Sequence, residues 1–444
     1  MPNARNHAVV LGGSIAGLLA ARVLADEYRR VVIVERDRLP SGVAHRRGVS
    51  HGHHVHGMLP RGRQVLEELL PGFSDGLVAA GALRGDILGN VRWYLNGRLL
   101  RQADTGLTAL SASRPLIEGA IRDRVRSLPN VEILDGYDIV GLCATPRGDR
   151  ITGARVTSNS GDGSRVLPAD LVVDASGRGS HVIRWLTDLG YAAPEQDRVV
   201  IDLTYSSRIV EAPAHVFGDD IVVVTARYPG QHRGGVMQRM ESGRALITLT
   251  GVLGERPPTD PHAFTAYART LATPDIYDAV RSARPLSDAV RFRIPSYVRN
   301  RFERLANLPS GLLVIGDAMC AFNPVYGQGM SVAAASAAVL RDELREFDGP
   351  DQYRYFRAVS TILDSPWGIA VGADLAVAGV TGPVLPKSPL TAEYLSQLQL
   401  AATEDVALAT AFIRVTALVD PPPALLRPEI VERVDRAQAL VSAR

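Results

Sequence analysis

The chain has 444 residues, 46% hydrophobic and 22% charged, with a formal net charge of +2. That is enough chain to bury a large core, and it provides no acidic or basic field of the kind that tracks nucleic acid. Cys143 and Cys320 are its only cysteines, too few for a disulfide framework and not paired with histidines at zinc spacing, so both are expected as small apolar residues.

A strand pattern begins at His7 with no charged leader or small-residue cleavage site before it, and glycines interrupt the apolar stretch from His7 to Ala25. No transmembrane segment is expected, and a cytoplasmic location follows as the default. The strand His7 to Leu11 runs into Gly12-Gly13-Ser14-Ile15-Ala16-Gly17, then the helical run Leu18 to Leu24, then a second strand Val31 to Val34 closed by Glu35 and Arg36. Such a strand, glycine turn, helix and strand suits an adenine dinucleotide: free N–H groups and the helix dipole attract the pyrophosphate, and side chains at the turn would block it. Ser14 stands where the middle glycine of the usual fingerprint falls, and its hydroxyl can donate to a phosphate. Glu35, about 20 residues on, can accept from ribose hydroxyls, which favours FAD or NAD over NADP. A glycine-bearing turn in an unrelated α/β protein is the plainer alternative.

Next comes a basic, histidine-rich stretch. Arg46 and Arg47 compete for a phosphate contact against a solvated basic turn. His45, His51, His53, His54 and His56 are half of the ten histidines. With no carboxylate or cysteine among them, no metal site is expected. Local hydrogen bonding is one reading, and a place beside cofactor or substrate is the other, with His54 and His56 the candidates. Ser113-Arg114-Pro115-Leu116 heads a helix with Ile117, Ala120 and Val125 on one face, and Val131 to Leu134 reads as a strand.

After the strand Leu171 to Val173 comes Asp174-Ala175-Ser176-Gly177-Arg178. Val199 to Tyr205, Ile221 to Tyr228, Gly235 to Met240 and Ala245 to Val252 read as a separate antiparallel sheet, with Glu241-Ser242-Gly243 as a hairpin turn. Arg291 to Pro295 leads back through a basic loop of Arg299, Arg301 and Arg304. Leu312 to Ile315 is a buried-strand pattern followed by Gly316-Asp317-Ala318, and Asn323-Pro324-Val325-Tyr326-Gly327-Gln328-Gly329-Met330 precedes the small-residue helix Ser331 to Leu340. Past Asp348-Gly349-Pro350, helices are expected over Asp351 to Ile362, Thr391 to Ile413 and Glu429 to Val441, separated by Gly382 to Pro386 and by Pro421 to Pro423.

In these motifs the chain resembles the single-component, aromatic-hydroxylase-type FAD-dependent monooxygenases. The G-D-A loop and N-P-x-x-G-Q-G-M carry the resemblance, and the Arg114 helix resembles that family's S-R-x-x-L helix. Asp174 to Arg178 resembles its D-G segment with Ala-Ser inserted. A narrower likeness is to actinobacterial polyketide and polyether olefin epoxidases, in Arg46 to Val49, His54 to Leu59, Trp367 and Val419 to Pro422. The resemblance implies an α/β fold: a Rossmann-like FAD-binding domain (1–75, 105–189 and 296–345) interleaved with an antiparallel-sheet substrate domain (76–104 and 190–295), then a helical C-terminal region (346–444). It implies FAD contacts from Gly12 to Gly17, Glu35, Arg36, Arg46, Arg47, Arg114, Ile139, Asp174, Asp317, Pro324, Gly327, Gln328, Gly329 and Met330.

The implied chemistry is reduction of FAD by NADPH or NADH, or supply of reduced flavin by a partner reductase, and capture of O2 as a flavin C4a-hydroperoxide. One oxygen then passes to an apolar small molecule, by olefin epoxidation ahead of aromatic or phenolic hydroxylation. No side-chain nucleophile is required, so no firm catalytic residue is assigned; His54, His56 and Pro324 are the candidates. Reduction of isoprenoid double bonds and an idle FAD-binding scaffold are the rivals. A flavin halogenase would need a lysine beside the flavin, and Lys387, in the tail, is the single lysine.

Overall fold

The computed structural model describes residues 5–161, 163–226, 230–347 and 350–442. Residues 227 and 228 of the expected strand Ile221 to Tyr228, and residues 348 and 349 of the expected turn, lie outside the described residues.

The strand His7–Leu11 has Ala8 to Leu11 at 1% exposure or less, as a strand covered on both faces must. It lies mid-sheet, in a five-stranded parallel sheet ordered Leu312–Val314, Leu171–Asp174, His7–Leu11, Arg30–Glu35, Val131–Asp135. Leu11 is in register with Asp174 and with Val34, and Asp174 with Val314, so three strands end level with one another. In open parallel sheets ligands sit at those carboxyl ends. The helix Ile15–Leu24 packs on this sheet, Arg114–Arg126 packs on that helix and on Val131–Asp135, and Gly329–Glu346 packs on Ile15–Leu24.

A second, seven-stranded sheet runs in the order Val290–Asn300, Gln196–Glu211, Arg244–Gly251, Arg233–Met240, Val222–Thr225, Val91–Leu95, Arg98–Leu99. Its pairs are antiparallel except Val222–Thr225 with Val91–Leu95. Alternate residues give it two different faces. Val223, Met237, Ala245, Ile247 and Leu249 pack on the helices Pro261–Ala268 and Asp275–Ser282 through Phe264, Tyr267 and Ile276. The opposite face carries Ser207, Thr248, Val236, Val224 and Trp93 in one cross-strand row. Tyr205, paired with Thr250 and Phe292, heads the next. The C-terminal helices Ala392–Ala401, Val406–Thr416 and Pro428–Ser442 form a separate apolar cluster with Val91 and, at its margin, Trp93, Val222 and Val224.

Several expected boundaries move. The strand expected from Val199 runs from Gln196 to Glu211, continuing past a register shift between Val200 and Leu203 where Asp202 adopts a φ of 45°. Arg299 is no part of the expected basic loop: it lies in the strand Val290–Asn300 with an exposure of 0%, and donates to the Ser360 carbonyl and hydroxyl. The helix expected to stop at Ile362 continues to Leu375 through Pro366, because Leu363, Pro366, Trp367, Ala370 and Val371 are all buried. Tertiary packing there outweighs the backbone bond that proline removes. The stretch Thr391 to Ile413 is two helices, divided where Asp405 accepts from the N–H groups of Ala407 and Leu408 and caps the second.

Candidate active site

Gly12 has a φ of +109°, and a Cβ there would lie 2.5 Å from the Ala175 carbonyl oxygen; at Gly17 it would lie 1.8 Å from the Gly12 carbonyl oxygen. Both positions therefore exclude side chains, and the turn holds its helix N-terminus against the Asp174 strand end. Ser14 does not cap that helix with its side chain. Its hydroxyl donates to Glu118 at 3.0 Å and accepts from Arg114 at 2.8 Å. Ile15 and Ala16 open the helix, and a Cβ on Gly316 would stand 2.7 Å from the Ala16 Cβ. The two glycine loops, three hundred residues apart in the chain, touch.

Glu35 accepts from the Gly13 N–H at 2.8 Å and the Asp37 N–H at 2.9 Å, and pairs with Arg46 at 3.2 Å. Arg46 and Arg47 separate completely: Arg47 is exposed, whereas Arg46 turns inward to Glu118 at 2.7 Å and Asp37 at 3.1 Å. Glu118 is a residue that sequence reading missed. Its carboxylate also accepts from Arg114 at 2.9 Å, one helical turn away. Burial alone would raise this carboxyl, but the guanidinium groups of Arg114 and Arg46 and their hydrogen bonds outweigh it and bring it down to about 2. Arg36 is exposed, and Ile139 is half-buried on the strand Tyr137–Ala144.

Asp174 is fully buried and turned inward, accepting from the Ser176 N–H and from the Ser176 and Ser180 hydroxyls; burial raises its carboxyl. Arg178, quoted in the sequence but given no role there, donates to Asp317 at 3.3 Å and to the Phe322 carbonyl at 2.7 Å. It bridges the Asp174 segment to the second loop.

That loop is anchored from below. Asn323 accepts from the Val325 N–H through Oδ1 and donates through Nδ2 to Asp374 at 2.8 Å. Asp374, near the end of the long helix Gln352–Leu375, also accepts from Tyr326 and Tyr297, each at 2.8 Å. This fully buried carboxylate fixes Pro324 to Gly327, and nothing in the sequence pattern marked it. Gln328 then opens the helix Gly329–Glu346, its Oε1 buried without a partner, and added Cβ atoms at Gly327 and Gly329 would meet nothing within 4 Å. Met330 is buried just inside. A helix N-terminus bordered by open glycines and an unmatched buried acceptor fits a planar, hydrogen-bonding ring system.

The histidine stretch lies between this cradle and the seven-stranded sheet. His56 must donate from Nδ1 to the His54 carbonyl at 2.8 Å, so its Nε2 accepts, at 3.1 Å, from Nδ1–H of His51. His54 meets Ser207 at 2.7 Å, and Ser207 meets Thr248 at 2.6 Å. Burial lowers all three imidazoles, His56 to about 3 with Arg114 adding to the effect, and His54 to about 4. His51 falls well below its ordinary value, through burial first and then the nearby guanidinium groups of Arg114 and Arg178. The cluster is neutral at physiological pH. His45 stacks on His53 at 3.8 Å between ring centroids. Among the described residues no group of three or more histidine, cysteine, aspartate or glutamate side chains could hold a metal ion. Lys387 is exposed, between the long helix and Ala392. No helix of the described residues is long and apolar enough to cross a membrane. A surface concavity of about 580 Å³ is lined by Arg84, Asp86, Asn90, Gln102 and Asp104 and by none of the residues of the two loops.

A dinucleotide turn, a second loop packed against it and a separate sheet alongside define an FAD-binding oxidoreductase. The FAD dependent oxidoreductase family model matches residues 8–199. A Mycobacterium tuberculosis (strain ATCC 25618 / H37Rv) protein, "Protein Rv3254", is 33% identical, the match covering 94% of this chain and 90% of that one. The chain belongs to the FAD-dependent oxidoreductase family. Squalene epoxidase 1 of Arabidopsis thaliana is 24% identical over 80% of this chain and 63% of its own length. Among solved structures, p-nitrophenol 4-monooxygenase PnpA from Pseudomonas putida DLL-E4 shares the fold with a TM-score of 0.66 at 16% identity, over 94% of this chain and 99% of that one.

Proposed function

We propose that the protein is a monooxygenase that inserts one atom of O2 into an apolar natural-product intermediate, with olefin epoxidation preferred over aromatic hydroxylation. Bound FAD, once reduced by NADPH, NADH or a partner reductase, supplies the oxygen chemistry. Arg114, Ser14 and the Gly12 turn would hold its pyrophosphate, Glu35 its ribose, and the Pro324 to Met330 segment its ring.

The observation that carries the reading is the face of the seven-stranded sheet on the histidine side. Ser207, Thr248, Val236, Val224, Trp93, Tyr205 and Phe292 present no ionisable side chain other than the Tyr205 phenol, so substrate would be placed by shape and apolar burial. The likeness to a squalene epoxidase supports an olefin. Exposed Lys387 gives no support to halogenation.

Mass spectrometry of products from a panel of polyenes and phenols under isotopically labelled O2, with NADPH, NADH and an added flavin reductase in separate arms, tests the proposal. Incorporation of one labelled atom into a polyene is expected. Gain of hydrogen without label would make the protein a double-bond reductase instead.

A further inference from the structure

Val55 donates its N–H to Thr248 Oγ1 at 3.2 Å, and Thr248, Ser207 and His54 Nδ1 continue as a hydrogen-bonded chain. Its direction follows from counting protons. If Thr248 donates to Ser207 and Ser207 donates to His54 Nδ1, every hydroxyl hydrogen has an acceptor. The reverse order leaves the Thr248 hydroxyl hydrogen with none among the described residues. Nδ1 is then the acceptor, and the neutral ring carries its proton on Nε2. That Nε2 is buried and unpartnered in a residue only 2% exposed. Native interiors rarely keep such a donor without a purpose. The rings next to it are Tyr205, at 5.5 Å between centroids, and Phe292, at 5.7 Å, both in the same pair of rows as Ser207 and Thr248.

We propose that His54 donates a hydrogen bond from Nε2–H to an oxygen of the substrate, and that the substrate is therefore a long apolar molecule bearing a carbonyl or ether oxygen rather than a plain hydrocarbon. The inference rests on the reading that this sheet face receives the substrate. Burial keeps the imidazole neutral, with its pKa lowered to about 4, so it offers a donor and no charge. Ser207 and Thr248 are positioning residues for the imidazole: they set which nitrogen holds the proton.

The probes are farnesylacetone and β-farnesene, polyenes of related size with and without a ketone, titrated into the FAD-loaded protein and followed by the flavin absorbance. A ketone that satisfies an otherwise orphaned donor should bind about five- to hundredfold more tightly than the hydrocarbon. His54→Ala should abolish that preference while leaving FAD affinity unchanged, and His54→Gln, which keeps a donor, should restore part of it. In 15N-histidine-labelled holoprotein the His54 signal should be that of an Nε2-protonated neutral ring, with Ser207→Ala shifting it toward the other tautomer. No ketone preference in the wild type, a preference that survives His54→Ala, or an Nδ1-protonated ring would each overturn the proposal, as would loss of FAD affinity in His54→Ala. Ketone preference without oxygenation of either probe would uphold His54 as donor and reject the monooxygenase reading instead. Oxygenation without the preference would do the reverse.

Discussion

Replacing Glu118 with glutamine should destabilise the protein by an amount that shrinks as the pH falls. The side chain is 5% exposed and accepts from Arg46 and Arg114, each 6–7% exposed. Removing its charge leaves two buried cations without their shared partner, which costs about 3–5 kcal/mol at pH 7. The carboxyl has a folded pKa of about 2 against an ordinary value of 4.5. A depressed folded pKa contributes stability that is fully present above 4.5 and is lost as the pH falls toward 2. The whole gap corresponds to about 3 kcal/mol, of which about 1.4 kcal/mol is gone by pH 3.5. Urea unfolding of the FAD-stripped wild type and Glu118→Gln, from pH 7 to 3.5, should therefore show the difference narrowing by about that amount. Parallel stability curves over this window would refute the assignment of the low pKa to Glu118.

Gly12→Val should strip bound flavin from the purified protein, because a side chain there collides with the Ala175 carbonyl, and Asp317→Ala should lower FAD affinity; both would be read from flavin absorbance, and full occupancy in both would misplace the site. Glu35→Gln should weaken FAD by about ten- to hundredfold and FMN by less, since only FAD has the adenosine ribose; equal losses, by fluorescence titration, would reject that contact. Asp374→Ala removes the acceptor of three hydrogen bonds, from Tyr297, Asn323 and Tyr326. A stability loss of about 3 kcal/mol or more is expected, and an unchanged denaturation midpoint would show the loop to be held otherwise.

The dinucleotide turn was legible because its constraints are local: Gly12, Gly17 and Glu35 each answer to a backbone or a neighbouring strand that the pattern itself displays. Glu118 was half legible, lying four residues beyond Arg114 on the same helix, but a helical Arg and Glu pair is ordinarily a surface pair, and only tertiary burial turns it into the centre of the network. Arg299 misled because three arginines within six residues read as a loop, while its partners Ser360 and Asp364 come from a helix sixty residues away. Asp374 had no signal at all: a single acid near the end of an amphipathic helix is unremarkable until Tyr297, Asn323 and Tyr326 are brought to it. The histidines lacked carboxylates or cysteines, which argued against metal, but the chain could not show that His54 would reach across to Ser207 and Thr248, more than 150 residues on.

The three C-terminal helices share one apolar cluster with the strand Val91–Leu95, and none of the Gly12, Asp174 or Asn323 loop residues belongs to it. Substitutions in two unconnected clusters add independently when they share no partners. Lineages descended from this scaffold can therefore remodel the helical cover, residue by residue or by wholesale exchange of the segment beyond Leu390, while inheriting the two glycine loops intact. Asp374 marks the border of that freedom, since it is the point at which a helix leading into the cover grips the Asn323 to Gly327 loop.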